Sequence, residues 1–246
     1  MPEVKEPVGG VEKMTNEAEL EQGTAEWYQA RLGKVTSSCF GKLAGKGRSG
    51  GGFTQTAFTY MDQLIAERIS GQPAEEIKSK FIDHGNEHEP TARQLYQWNA
   101  QGDHTLKQVG FVNHPTIAMC GGSPDCLIQP DGVLEIKCPY NVHRHLANIE
   151  NDGPSDRDYT WQSQGHMWIT ERDWCDFVSF HPNVPKAFQF HVSRIYRDED
   201  VIEELEEKIP RFLEQLSIRL EKITSSIRLD TWSTESNGQE DSSSKD

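Results

Sequence analysis

Residues 121–138 read GGSPDCLIQPDGVLEIKC, and the fold turns on how that stretch is parsed. Two extended runs, Cys126 to Gln129 and Val133 to Cys138, flank the turn pair Asp131-Gly132, which is the pattern of a β-hairpin. Side chains alternate along a strand, so Glu135 and Lys137 share one face while Ile136 points to the other, toward a core. Asp125 opens the first run, where a hairpin brings its carboxylate beside Glu135. Two carboxylates and an ammonium in that arrangement are close to a minimal set for hydrolysing a phosphodiester with magnesium. Mg²⁺ takes hard oxygen ligands, usually one or two carboxylates with water and substrate phosphate oxygens. Asp125 and Glu135 supply the carboxylates, and the Ile136 carbonyl is a further oxygen. A bound metal activates water and stabilises charge on the attacked phosphate. Lys137 then orients the water or neutralises the phosphate. The E-x-K pattern also occurs on ordinary surface hairpins, and Ser123-Pro124-Asp125 upstream is what favours the chemical reading.

Working outward, strand-like runs at 107–113 and 116–120 precede the hairpin, and runs at 174–181 and 187–195 follow it. Helical patterns cover 55–70, ended by Gly71, then 86–100, ended near Gly102, and 157–170. Trp27 to Ala44 has helix-like spacing broken near Gly33 and Thr36, and a Gly/Lys/Arg/Ser loop occupies 45–52. His143 and His145 fall in the loop after the core strand. An acidic amphipathic helix closes the fold, with Val201, Ile202, Leu205, Ile209, Phe212, Leu213 and Leu216 on its apolar side. This order predicts an α/β (α+β) protein, a central mixed sheet flanked by helices. It is read as one domain over 23–229, with polar acidic ends at 1–22 and 230–246 expected to be disordered.

Composition narrows the class. A chain of 246 residues is ample for one domain with a substantial core. Five cysteines without a C-x-x-C pair read as reduced thiols rather than a disulfide framework or an iron–sulfur ligand set. The N-terminus is acidic and no long apolar run occurs, so neither a signal peptide nor a membrane span is expected, and the expected location is the cytoplasm. The net charge of −14 looks adverse to nucleic acid, but it is segregated. Residues 1–26 carry −5, 198–208 carry −6 and 230–246 carry −4, whereas 27–61 hold Arg31, Lys34, Lys42, Lys46 and Arg48 with no acid. Local potential steers a polyanion, so the basic 31–48 segment is a plausible lining for a DNA entrance. A solvated basic loop is the plain alternative.

Four segments in order then resemble a known family. They are EWYQARLGKVTSS at 26–38, GNEHEPTARQLY at 85–96, the hairpin itself, and YTWQSQGHMWIT at 159–170. Together they resemble the PD-(D/E)XK nuclease superfamily, in particular the lambda exonuclease and YqaJ-type phage recombination nucleases. The resemblance implies that Asp125 and Glu135 bind the catalytic metal, that Lys137 supports the attacking water, and that Glu89 completes or tunes the metal site. Arg31, Ser38, Ser123 and Gln162 match residues that receive the 5′-phosphate of a DNA end. An arginine fork suits phosphate oxygens, while hydroxyls and an amide add neutral hydrogen bonds. Gln164 faces away from Gln162 on a helix and ranks lower.

The implied activity is a Mg²⁺-dependent 5′→3′ exodeoxyribonuclease (Mn²⁺ substituting) that degrades one strand of linear duplex and leaves a 3′ overhang for recombination by strand annealing. A ring-shaped homotrimer, a single-strand annealing protein as partner and, for a phage-encoded chain, a bacterial host cytoplasm are implied with it. A structure- or site-specific endonuclease of the same superfamily, or a non-catalytic DNA-binding module, are the alternatives. Duller roles exist for single residues: Arg31 pairing with Glu26, or Glu89 on a solvated face beside Glu87. His84 and His88 are four apart but lack the H-E-x-x-H zinc pattern. Trp161, Trp168 and Trp174 read as packing residues rather than base-stacking platforms.

Overall fold

The computed structural model describes residues 16–45, 47, 52–73, 80–99 and 105–236, the side chains at 16, 17, 82 and 227–236 excepted. Its helices are α1 (Ala25–Arg31), α2 (Gln55–Ser70), α3 (Lys80–Asn99), α4 (Val142–Glu150), α5 (Arg157–Thr170) and α6 (Glu199–Ser236). Its strands are β1 (Val35–Thr36), β2 (Leu106–Lys107), β3 (Val112–Asn113), β4 (Cys120–Gly122), β5 (Cys126–Ile128), β6 (Gly132–Lys137), β7 (Trp174–Phe180) and β8 (Phe190–Tyr196). Short 3-10 segments occupy Asn16–Glu19, Ser37–Leu43 and Lys186–Phe188.

The predicted hairpin forms the middle of a five-stranded sheet, ordered β2-β5-β6-β7-β8. β5 runs antiparallel to β6, with Cys126 opposite Leu134 and Ile128 opposite Gly132. β7 runs parallel to β6, from Gly132 opposite Trp174 to Lys137 opposite Ser179. A parallel neighbour needs a crossover, and α4 and α5 supply it. A smaller sheet is ordered β1-β4-β3. The arrangement is the mixed α/β sheet with flanking helices that the order of elements predicted.

Both faces of β6 are covered, which is why its burial is almost continuous. On one face Leu134 and Ile136 pack with Ala92 and Tyr96 of α3 and Val178 of β7. On the other, Val133 packs with Met167 of α5 and Cys175. Four residues of helix rise about 6 Å and two residues of strand about 6.6 Å, so a helix lying along a strand can repeat its contacts in step. α5 does this antiparallel to β6: Gln162 meets Lys137, His166 meets Glu135, and Met167 reaches Val133. Gly165 lets the 37–43 segment close on α5, since a Cβ there would stand 2.4 Å from the Phe40 ring. α6 lays Ile202, Leu205, Ile209, Phe212 and Leu216 into a third cluster with Phe40, Phe53, Met61 and Leu64, the apolar side read from its spacing.

Several boundaries differ from the expectation, each for a physical reason. The 107–113 run is split between the two sheets, because the amide of Gly110 donates to the Ala18 carbonyl (2.8 Å) and Phe111 turns into a separate cluster. Most of 116–120 is a turn, in which His114 Nδ1 accepts from the amides of Thr116 and Ile117, both at 3.2 Å. α3 begins at Lys80 despite Gly85 and Pro90 inside it, held by packing of the His84 ring on Tyr140 and the His88 ring on Phe180. His143 and His145 are not loop residues but lie on α4. His145 is fully buried: its Nε2 lies 2.6 Å from the Phe188 carbonyl and its Nδ1 2.8 Å from Ser179 Oγ, which assigns the proton to Nε2. Residues 1–15 and 237–246 lie outside the described residues; from Asn16 onward the segment packs on the domain, with Ala18 buried. No helix among the described residues is long and apolar enough to cross a membrane.

Candidate active site

The hairpin register places Asp125 opposite Glu135, with the Asp125 amide donating to the Leu134 carbonyl at 3.2 Å. Asp125 Oδ2 in turn accepts the Ile136 amide at 2.5 Å, so the carboxylate is fixed on the neighbouring strand. Glu135 and Lys137 share the α5 face, as alternation requires, and their side chains pair at 2.6 Å. Lys137 Nζ also donates to Gln162 Oε1 at 2.9 Å. His166, which is fully buried, brings Nδ1 to 3.0 Å from Glu135 Oε2, though not aligned as a hydrogen bond. Glu89 comes from α3, across the opposite face of the sheet, and is paired with Arg93 one turn on.

The electrostatics of this cluster are those of anions forced together. Burial raises the Asp125 pKa well above its ordinary value, and the charges of Glu135 and Glu89 add to the rise. Burial raises the Glu89 pKa too, against the pull of Arg93. Burial alone would also raise Glu135, but Lys137 and His166 overcome it and hold that carboxyl down at about 2. Burial works against the Lys137 charge, yet Glu135 and Asp125 raise its pKa, so the ammonium is retained.

Asp125 and Glu89 open onto a cleft of about 850 Å³ that Arg31, Trp27 and Arg93 also line. The Arg31 guanidinium lies over the Trp27 ring, 4.0 Å from its centroid. Burial lowers its pKa, and among the described residues no carboxylate is paired with it, Glu26 included. Trp27 Nε1 donates to Ser123 Oγ at 3.0 Å, so one indole links two of the four phosphate-binding candidates. Ser38 is exposed and shares a 3.2 Å contact with Thr36 Oγ1. Gln162 is tied to Lys137 rather than to Arg31. Gln164 points elsewhere, bridging the Tyr196 carbonyl (3.0 Å) and the Asp198 amide (2.9 Å) as a strut. Trp161 and Trp168 are core residues. Trp27, His166 and Arg93 were not read as site residues from the sequence; the face rule that demoted Gln164 puts His166 beside Gln162.

The donor chemistry fits a hard divalent cation. Asp125, Glu135, Glu89 and the Ile136 carbonyl offer only oxygen, and burial first, then the neighbouring carboxylates, raise the Asp125 pKa, which a nearby cation would offset. Among the described residues no three Asp, Glu, His or Cys side chains close tightly enough to enclose an ion by themselves. Each carboxylate instead rests on a protein donor: Ile136 N–H, Lys137 or Arg93. That suits a hard cation that leaves several positions to water and phosphate.

Comparison with known proteins agrees. The profile of the YqaJ-like viral recombinase domain matches residues 26–173. The alkaline exonuclease LHK-Exo from Laribacter hongkongensis superposes with a TM-score of 0.74 at 34% identity, covering 83% of this chain and 98% of that one. The same enzyme in complex with dAMP gives 0.75 and 36% over the same shares. A phage-related exonuclease from Haemophilus somnus 129PT shares the fold, with a TM-score of 0.64 at 18% identity over 77% of this chain and 96% of that one. The uncharacterized protein R354 of Acanthamoeba polyphaga mimivirus is 22% identical over 176 residues, 65% of this chain but only 29% of that protein, so the chain spans less than a third of that relative's length. Since the matched region contains the hairpin and both helices that pack on it, α3 and α5, the chain belongs to the YqaJ-like viral recombinase family, the lambda-exonuclease-like nucleases of PD-(D/E)XK fold.

Proposed function

We propose that the chain is a Mg²⁺-dependent 5′→3′ exodeoxyribonuclease that degrades one strand of linear duplex DNA from a 5′-phosphorylated end. The observation that carries this reading is the content of the cleft: Asp125 and Glu89 share it with Arg31, a half-buried guanidinium that, among the described residues, makes no ion pair with a carboxylate. A desolvated, unpaired guanidinium is costly without an anion, and a terminal phosphate is the anion a fork of N–H donors recognises best. That a relative with 34–36% identity is an alkaline exonuclease, solved also with dAMP, adds support for a mononucleotide product.

On this reading Asp125, Glu135, the Ile136 carbonyl and Glu89 hold the cation, which supplies Lewis-acid activation of water and of the attacked phosphate. Lys137, kept charged by Glu135 and aimed by Gln162, orients the incoming water and offsets charge gathering on phosphorus. Arg31, with Ser123 bonded to the same Trp27 ring that it lies over and Ser38 next in line along the chain, holds the 5′-phosphate so that the next linkage lies at the carboxylates. The water oxygen joins phosphorus, the bond to the O3′ of the terminal nucleotide breaks, and that oxygen takes the proton. A 5′-mononucleotide leaves, and the shortened strand keeps the phosphate at its new 5′ end for the next cycle. The family resemblance extends the proposal to a homotrimer around DNA and to an annealing protein that coats the 3′ overhang.

The test is digestion with Mg²⁺ of linear duplexes bearing 5′-phosphate or 5′-hydroxyl ends, beside covalently closed circles. The wild type should degrade linear DNA only and prefer the phosphate. Arg31→Ala should slow digestion of phosphorylated ends by about 10- to 100-fold, as loss of a charged hydrogen bond implies, with little change on hydroxyl ends. Cutting of closed circles would instead indicate an endonuclease, and inertness toward every substrate a binding module.

A further inference from the structure

We propose that Arg93 is a further catalytic residue, whose guanidinium leaves Glu89 for the phosphate being cut once a cation and DNA occupy the cleft. The inference rests on the reading of the chain as a metal-dependent nuclease. α3 sets Glu89 and Arg93 four residues apart on one face, where they form an ion pair. On an exposed helix such a pair is ordinary and adds little. This one is not on an exposed face. The two side chains are only 31% and 22% accessible, and both line the cleft together with Asp125 and Arg31.

The fork is also under-used. A guanidinium carries five N–H donors. Glu89 takes its hydrogen bond from Nη2, while Arg93 Nε is buried with no partner among the described residues. A buried donor left unmade disfavours the arrangement, and a tetrahedral anion with several oxygens is what completes it.

Charge balance gives the reason for a change of partner. Glu89 sits in the field of Glu135, and Asp125 in the fields of both, so Arg93 now supplies positive charge that the carboxylates lack. A divalent cation on those oxygens takes over that duty and leaves the guanidinium in surplus beside an incoming polyanion. Arg93 also borders a shallower recess of about 340 Å³ with Pro90, Thr91, Gln94 and Gln97. Its side chain therefore stands on a rim rather than boxed into the core. Moved onto the phosphate, it offsets charge that grows on the oxygens as the bond to O3′ breaks.

The test uses the full chain carrying Arg93→Gln and, separately, Arg93→Lys. Steady-state digestion of 5′-phosphorylated linear duplex with Mg²⁺ is measured beside Mn²⁺ binding by calorimetry without DNA. Arg93→Gln should lower kcat by about 100- to 1,000-fold while KM moves less than about threefold, the pattern of a group acting in the transition state. Its Mn²⁺ affinity should be unchanged or higher, because a competitor for Glu89 has gone. Arg93→Lys, which keeps the charge but not the fork, should recover part of kcat, and it carries the test alone should the glutamine variant fail to fold. A kcat within about threefold of wild type in these variants overturns the proposal. So does a Mn²⁺ affinity that falls in step with kcat, which would mean that Arg93 merely builds the site. An inert wild type defeats the nuclease reading itself, whereas an active wild type with an equally active Arg93→Gln defeats this inference alone.

Discussion

Glu135→Gln should slow digestion of linear duplex by about 10³-fold or more, with DNA binding largely retained. The estimate follows from loss of several kcal/mol of charge stabilisation at about 1.4 kcal/mol per tenfold. Glu135 is 2% exposed, and its two oxygens face Lys137 at 2.6 Å and His166 at 3.0 Å. On the proposed mechanism the amide removes the anion that anchors the cation, and it turns an NH₂ toward donors that need an acceptor. Lys137 keeps Gln162 and some exposure, so the fold should survive with a lowered melting temperature. Single-turnover rates and thermal melts of the two proteins together check this. A variant within tenfold of wild type would remove Glu135 from the reaction.

The largest effect on stability is expected from Asp176→Ala. Asp176, 4% exposed on β7, accepts Tyr96 Oη at 2.5 Å and two Arg194 bonds at 2.8 and 2.9 Å. Alanine leaves the Tyr96 hydroxyl buried without an acceptor and strips Arg194 of its counter-ion. The half-exposed Arg194 recovers solvation, so the expected loss is about 2–3 kcal/mol rather than the larger cost of a fully buried pair. Tyr96 also fastens α3, and with it Glu89 and Arg93, to the sheet. Urea unfolding should show the loss, and activity should fall without any change in substrate preference. A shift below about 1 kcal/mol would mean that α3 is held by its apolar contacts alone.

What could be read from the sequence was what depends on local rules. The hairpin was legible because strand alternation and a turn pair fix which side chains share a face, and those rules put Glu135 with Lys137. α5 was read with its true limits, since Asp156 caps it and its pattern is regular. α4 was missed because its buried face is His145 and Asn148, and apolar periodicity does not register polar residues. Its partners, Ser179 and Phe188, lie more than thirty residues away and become neighbours only through the sheet. The Asp176–Arg194–Tyr96 knot is legible only after the β7–β8 register is known, because that register sets Asp176 opposite Arg194. Trp27 was read only as the start of a helix-like run, and its link to Ser123 spans 96 positions.

The proposed chemistry needs a cation gripped between the first and second arms of one hairpin. Manganese-soaked crystals of the protein, examined by anomalous diffraction, address that directly. A peak about 2.1–2.2 Å from carboxylate oxygens of both Asp125 and Glu135, lost in Glu135→Gln crystals, is the predicted result. Manganese bound elsewhere, with those two side chains still resting only on Ile136 and Lys137, would contradict it.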